Sequence, residues 1–240
     1  MAGPVFVAGA TGYTGRSVVR ESVARGLDTV AHVRPDSSSL ERWRQSFEKV
    51  DTTPWVAADM QATLKRLQPS VVFSLLGTTR ARGKQGSGSA VTDDYESVDY
   101  GLSIMLLEAA IACGSRPRFV YLSAMGAEGR PINAYMEVRK RVEAAVIESG
   151  LPYVIARPGF ITGDDRDENR MGERVAARIS DKLLAGLGVL GAKRLRARYT
   201  SMTGAELGAA LVELASKPDE AAIVENEALR AAVVIRGAAG

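Results

Sequence analysis

The segment VFVAGATGYTGRSVVR, residues 5–20, narrows the choice of fold more than any other stretch of this chain. Apolar, β-branched residues run into a turn carrying Gly9, Gly12 and Gly15, and a stretch of helical period follows at once. A strand, a turn without side chains and a helix, in that order, suit an open parallel sheet whose ligand lies at the carboxyl ends of the strands. Glycines there permit a tight turn, let the backbone approach an anionic group and bring the helix close to the strand. The helix N-terminus then offers N–H groups and a partial positive charge to a diphosphate. The spacing is GxxGxxG rather than the commoner GxGxxG, and its position between strand and helix is what makes it informative.

The chain beyond repeats the pattern. Predicted strands are PVFVAG, TVAHV, PWVAAD, VVFSLL, RFVYLS and YVIARP. Between them lie the helical stretches GRSVVRESVARG, SLERWRQSFEKV, MQATLKRLQ, YESVDYGLSIMLLEAAIACG and AYMEVRKRVEAAVIESG. In the last of these Tyr135, Val138, Val142, Ala145, Val146 and Ser149 recur at steps of three and four, and Gly150 with Pro152 ends the helix. This alternation predicts an α/β fold, a doubly wound parallel sheet with helices on both faces. Past residue 160 the rhythm changes to the charged GDDRDENRMGER, a helical run to about 190, the basic KRLRARYTS and the helix AELGAALVELASKP. We expect one domain over residues 1–240, with residues about 160–200 forming a small C-terminal cap and the last strand and tail returning to the sheet.

Composition sets outer bounds. At 240 residues, 46% hydrophobic and 25% charged, the chain can bury a sizeable core. Its 31 Lys and Arg nearly balance 28 Asp and Glu, a distribution that points neither to nucleic acid nor to an anionic membrane. Cys113 is the sole cysteine, so no intrachain disulfide forms, which fits a reducing compartment. The longest later apolar stretch, LLAGLGVLGA at 183–192, is too short to span a bilayer. The N-terminus carries no basic patch followed by an apolar block, and the expected localisation is cytoplasmic.

The end of the second strand bears on the choice of cofactor. Dinucleotide-binding folds that prefer NAD usually carry an acid there for the ribose hydroxyls, whereas AHVRPDSSS has Arg34, then Pro35 and a hydroxyl cluster. An arginine suits a 2′-phosphate through charge-assisted hydrogen bonds, so NADP is expected over NAD. Asp36 is the competing ribose ligand, and a solvated surface arginine is the competing reading of Arg34. Asp59, expected to close the third strand, is assigned either to the adenine edge or to a helix N-cap.

GATGYTG, SLLGTTRARGKQG, YLSAMGAEG, AYMEVRKRVEA, VIARPGFITGDDRDENRMGE and YTSMTGAEL together resemble the atypical NAD(P)-binding branch of the short-chain dehydrogenase/reductase superfamily. More narrowly, the chain is similar to the oxidoreductases related to Tat-interacting protein, over about residues 4–215. The resemblance implies a Rossmann sheet and diphosphate contacts at Thr11, Tyr13, Thr14 and Gly15. It also implies ribose or nicotinamide contacts at Gly77, Thr78 and Thr79, and nicotinamide contacts at Pro158, Gly159 and Phe160. On the plainer alternative, residues 77–79 and 158–159 simply turn the chain after a strand.

Reductases of that superfamily carry a Tyr-xxx-Lys helix and a serine at the preceding strand end. The tyrosine exchanges a proton, the lysine favours the phenolate and binds ribose, and the serine orients the substrate oxygen. Tyr135 and Ser123 fill the first and last of these positions, but YMEVRK has Arg139 four residues after Tyr135 and Lys140 five after it. On a helix those offsets leave about 40° and about 140° between side chains, so Arg139 shares the tyrosine's face. Arginine supplies permanent charge and donors but releases no proton into a relay. Ala124 stands where the family often has a second serine. A tyrosine at the core edge and an exposed arginine are the structural alternative.

Other constellations carry less. His32, the sole histidine, lies in an apolar strand and is expected in the core, so no His-based metal or nucleophile site follows. DDRDENRMGER reads as an internally paired surface, KRLRAR as the charged face of an edge strand and GKQGSGS (83–89) as either a lid or a disordered loop. The expectation is an NADP(H)-dependent oxidoreductase acting on a small carbonyl or alcohol. The alternative is a regulatory NADP-binding protein, of the NmrA-like kind, that binds a protein partner without turnover.

Overall fold

The computed structural model describes residues 3–77, 95–162, 200–218 and 220–237. Strand β1 (Val5–Ala8) is followed by α1 (Tyr13–Ala24), β2 (Thr29–His32), α2 (Leu40–Ser46), β3 (Val50–Asp51), α3 (Ala57–Leu67) and β4 (Val71–Ser74). A π-helical segment (Tyr95–Leu102) runs into α4 (Ser103–Ala112), then β5 (Arg118–Leu122), α5 (Ala134–Glu148), β6 (Tyr153–Arg157) and β7 (Ile161–Thr162). The described chain resumes with β8 (Met202–Thr203), α6 (Gly204–Ala215), β9 (Ala221–Glu225) and α7 (Asn226–Gly237).

Seven strands form one parallel sheet in the order β3-β2-β1-β4-β5-β6-β9, and β7 pairs with β8 in a separate parallel ribbon. The winding reverses between β1 and β4, so a crevice opens outside their carboxyl ends, the position at which open α/β sheets take ligands. As expected, the last strand returns to the sheet: β9 lies beside β6 in parallel register from Tyr153↔Ala221 to Arg157↔Glu225.

Because successive strand residues face opposite ways, the sheet sorts its apolar side chains into two cores. Val5, Val7, Phe73, Val120 and Val154 face the core that includes Val18, Leu207 and Leu211 of α1 and α6. Phe6, Ala8, Val72, Phe119, Tyr121 and Ile155 face the other, with Met60, Leu64, Leu106 and Val142 of α3, α4 and α5. Each fully buried side chain of this size contributes about 1.5–3 kcal/mol. The predicted core position of His32 holds: it is buried, its Nε2 lies 2.8 Å from the Thr53 carbonyl, and Trp55 meets it edge-on. Burial lowers its pKa, outweighing Thr53 and Asp51.

One strand is misassigned by its composition. PWVAAD joins no sheet; the third strand is Val50–Asp51, and α3 begins at Ala57 inside the predicted strand. Pro54 supplies no ladder N–H, Val56 is half exposed, and Ala57 and Ala58 favour a helix once its N-cap is set. The residues expected to form the cap, including DDRDENRMGER and KRLRAR, fall largely outside the described residues, as does GKQGSGS.

α1 and α6 pack closely because Gly204 and Gly208 form one bare face of α6. A Cβ at 208 would sit 2.7 Å from the Ser17 Cβ, and one at 204 would overlap the Tyr13 ring. At the far end Arg25 reaches Glu213 at 2.8 Å. Gly208→Val is therefore expected to lower unfolding free energy by about 2–3 kcal/mol through overpacking, read by urea denaturation. A change within about 0.5 kcal/mol, the range of an exposed site, would contradict this helix contact.

Candidate functional site

The turn after β1 is built by backbone proximity. Gly9 adopts φ +82° and accepts a hydrogen bond from the Gly12 N–H at 3.0 Å. A Cβ on Gly9 would lie 2.5 Å from the Leu75 carbonyl oxygen, and one on Gly15 would overlap the Gly9 carbonyl. Gly12 is the N-cap of α1, with no side-chain cap and no acidic residue in the first turn. Lacking a side-chain cap and an acidic first turn of its own, this helix start turns its N–H groups and dipole toward the crevice side of the sheet. These residues fit a dinucleotide diphosphate. Thr11 is half-buried and Thr14 buried beside them. The Tyr13 hydroxyl donates to the Thr162 carbonyl at 2.8 Å and accepts from the Gly204 N–H at 3.4 Å, tying the turn to the β7–β8 ribbon.

Arg34 follows β2 at the same edge, with its side chain 45% exposed and its Nε 3.9 Å from the exposed Asp36 carboxylate. The Ser37 and Ser39 hydroxyls beyond it bond each other at 2.9 Å. Asp59 does not close a strand. It lies exposed in the first turn of α3, where a negative charge complements the helix dipole. Asp51 closes β3 instead, its carboxylate accepting from the Thr53 N–H at 3.0 Å and the Thr53 hydroxyl at 3.1 Å.

Helix α5 carries Tyr135, Arg139 and Glu143 along one face, one turn apart. The Arg139 guanidinium is buried and donates to Asp99 at 2.7 Å, to the Tyr121 hydroxyl and the Leu122 carbonyl at 3.0 Å each, and to the Leu76 carbonyl at 3.4 Å. Its carbon lies 4.9 Å from the centre of the Tyr135 ring. Burial opposes the charge, but Tyr121, Tyr135 and Asp99 outweigh it and raise the Arg139 pKa, so the guanidinium stays charged. Burial pushes the Tyr121 phenol up to about 12 against the pull of Arg139. Lys140 points elsewhere, exposed, with its ammonium on the Gly129 carbonyl at 3.1 Å. A Cβ on Gly77 would meet Arg139 Nη2 at 3.0 Å, which explains a residue without a side chain there. Thr78 and Thr79 fall outside the described residues.

Ser123, at the end of β5, is buried, and its hydroxyl donates to Glu143 at 2.5 Å. Arg157 grips the same carboxylate through Nε at 3.0 Å and Nη2 at 2.6 Å, and reaches Glu225 at 2.9 Å. Hydrogen bonding to Glu143 is the main reason that the Arg157 pKa is raised. In the turn after β6 the Pro158 carbonyl accepts from Met125, the Gly159 N–H donates to Asn226 at 2.9 Å, and the Phe160 carbonyl accepts from Met202. Asp99, Glu143, Arg157 and Asp51 are the polar residues of this edge that the motifs do not single out. Glu143 sits four residues past Arg139 between Val142 and Val146, and Arg157 ends an apolar strand, which are the signals that mark them.

The strand order and the glycine cradle define a dinucleotide-binding fold. Residues 9–185 match the NAD(P)H-binding family, and the chain belongs to it, within the atypical short-chain dehydrogenase/reductases. Protein FMP52, mitochondrial, of Candida albicans is 27% identical over 73% of this chain and 75% of its own length. Protein TIC 62, chloroplastic, of Oryza sativa subsp. japonica is 31% identical over 76% of this chain, which spans 40% of that longer relative. Among solved structures, UDP-glucose 4-epimerase of Thermotoga maritima aligns with a TM-score of 0.65 at 18% identity, over 98% of this chain and 82% of that one. The Brucella ovis enzyme of the same name, solved with NAD, gives 0.64 at 17%, over 95% and 81%, and at such identities the likeness is one of fold. The cytoplasmic expectation does not stand, since these sequence relatives carry mitochondrial and chloroplastic names. No helix among the described residues is long and apolar enough to cross a membrane.

Removing Asp99 strands a buried guanidinium. Asp99→Ala is expected to cost about 3–5 kcal/mol in urea denaturation, the range for breaking one half of a buried pair. A loss below about 1 kcal/mol, typical of exposed ion pairs, would contradict the burial described.

Proposed function

We propose that this protein is an NADP(H)-dependent oxidoreductase that moves a hydride between the nicotinamide and a small carbonyl compound. The observation that carries this reading is the Tyr135 ring against the buried, permanently charged Arg139, on the sheet edge that also bears the glycine cradle. Bound cofactor supplies or accepts the hydride. Tyr135 gives or takes the proton, and the Arg139 charge stabilises the phenolate left behind. Arg139 holds its proton throughout, so the phenolate recovers its own from water. Gly9, Gly12 and Gly15, with Thr11, Tyr13 and Thr14, would receive the diphosphate, and Pro158, Gly159 and Phe160 would border the nicotinamide. NADP over NAD is supported by Arg34, half exposed at the end of β2, with the Asp36 carboxylate 3.9 Å from its Nε.

A second reading rests on a specific observation. The Ser123 proton and the Arg139 guanidinium are both taken up by buried carboxylates, an arrangement that also suits a protein binding NADP(H) and a protein partner without turnover.

Calorimetric titration with NADPH and NADH tests the cofactor assignment. Arg34→Ala should weaken NADPH by about tenfold or more, the worth of one charge-assisted hydrogen bond, and leave NADH nearly unchanged. Equal losses for both would contradict a 2′-phosphate site. Tyr135→Phe should lower turnover by about 10²–10⁴ while NADPH affinity holds. Tight NADPH binding by the unaltered protein, without turnover of any carbonyl in a broad panel, would favour the second reading.

A further inference from the structure

Asn226 opens α7, beyond the stretch that carries the sequence motifs, and its side chain is buried. That side chain joins two distant parts of the chain. Its Oδ1 accepts from the Gly159 N–H at 2.9 Å, and its Nδ2 donates to the Thr200 carbonyl at 2.9 Å. One partner is a donor and the other an acceptor, and a carboxamide serves both from a single rigid plane. An ionised aspartate of the same shape can only accept. Leu229 and Ala232 sink α7 into the core that also holds Leu207 and Leu211 of α6, so the amide is fixed from behind by packed structure.

What the amide holds is the start of a stretch that runs along the carboxyl edge of the sheet. At residue 158 the stretch is tied to the exit of β5, where the Met125 N–H donates to the Pro158 carbonyl at 3.0 Å. At residue 162 it is tied to the glycine turn, through the Tyr13 hydroxyl on the Thr162 carbonyl at 2.8 Å. Between them the Met202 N–H donates to the Phe160 carbonyl at 2.9 Å, and Ile161 and Thr162 pair with Met202 and Thr203. Residues 158–162 thus connect the glycine turn to the strand exit that bears Ser123. Asn226 pins the end nearest Ser123, and Tyr13 pins the other.

Resting on the NADP(H)-dependent reading above, we infer that Asn226 is the positioning residue for the nicotinamide half of the cofactor. It holds the Gly159 turn against which that ring rests, while the adenosine half is received at the exits of β1 and β2, by the glycine turn and Arg34. Supporting hydrogen bonds of this kind keep a binding surface within about 0.5 Å of its productive geometry. The expected signature is a loss confined to ligands that carry the nicotinamide.

Calorimetric titration of the full chain with NADPH and with 2′-phospho-ADP-ribose, which lacks only the nicotinamide, reads that signature without turnover. Asn226→Asp turns a donor into an acceptor facing the Thr200 carbonyl. It should weaken NADPH by about tenfold or more and leave 2′-phospho-ADP-ribose within about twofold. Equal losses for the two ligands, as a general loosening of the fold would produce, overturn the inference, as does no loss for either; both outcomes leave NADPH binding standing. An unaltered protein that binds neither ligand overturns the cofactor reading itself, and the inference with it. In ¹⁵N spectra of the unaltered protein, the Gly159 amide signal should move with NADPH and hold its place with 2′-phospho-ADP-ribose. A shift of equal size with both ligands, or with neither, counts against the assignment, and this spectrum decides should Asn226→Asp not fold.

Discussion

A guanidinium buried at the carboxyl edge of a parallel sheet has to be neutralised, and that requirement organises much of this protein around Arg139. Taking a charge out of water costs several kcal/mol unless a counter-charge and hydrogen bonds replace the lost hydration. Here Asp99 supplies the counter-charge from the π-helical segment, while Leu76, Leu122 and Tyr121 supply acceptors from the ends of β4 and β5. One side chain of α5 therefore holds two strand exits and a neighbouring helix in fixed relation. Lysine, with a single ammonium, could not satisfy so many differently placed acceptors at once.

Glu143 and Arg157 answer the same physical demand one turn further along α5, but the outcome differs. The planar fork of Arg157 meets the carboxylate through two nitrogens, and the remaining acceptor capacity goes to Ser123. Well-packed apolar residues often stabilise such a position as well as an ion pair does. What the pairs add is orientation: they define which atoms at this edge donate, which accept, and which carry permanent charge.

The fold was largely legible in the residues because its determinants are local. Apolar runs of four or five residues, helical period between them and glycines at the first turn follow directly from strand and helix geometry. PWVAAD misled because its apolar content says nothing about backbone partners, and Pro54 withholds one. The helical offset correctly separated Arg139 from Lys140, since an angle of about 100° per residue holds wherever the helix persists. Asp99 was not legible. Its role depends on a π-helical register that turns it toward Arg139 from 40 residues away, and no local period announces such a pairing. Asp51 is hidden for a related reason, because the apolar content of PWVAAD suggests a third strand that closes at Asp59.

The exit of β4 links the two halves of the site. Leu75 presents its carbonyl oxygen where a Gly9 side chain would stand, Leu76 presents its own to Arg139, and Gly77 leaves room for the guanidinium. Three consecutive residues thus touch the glycine turn on one side and the buried charge on the other. Close-packed backbone does not deform smoothly, so a change in the length or charge of residue 139 has to be absorbed either by Asp99 or by this strand exit. In the second case the glycine turn moves with it, and cofactor affinity registers a substitution made on the opposite face of the sheet.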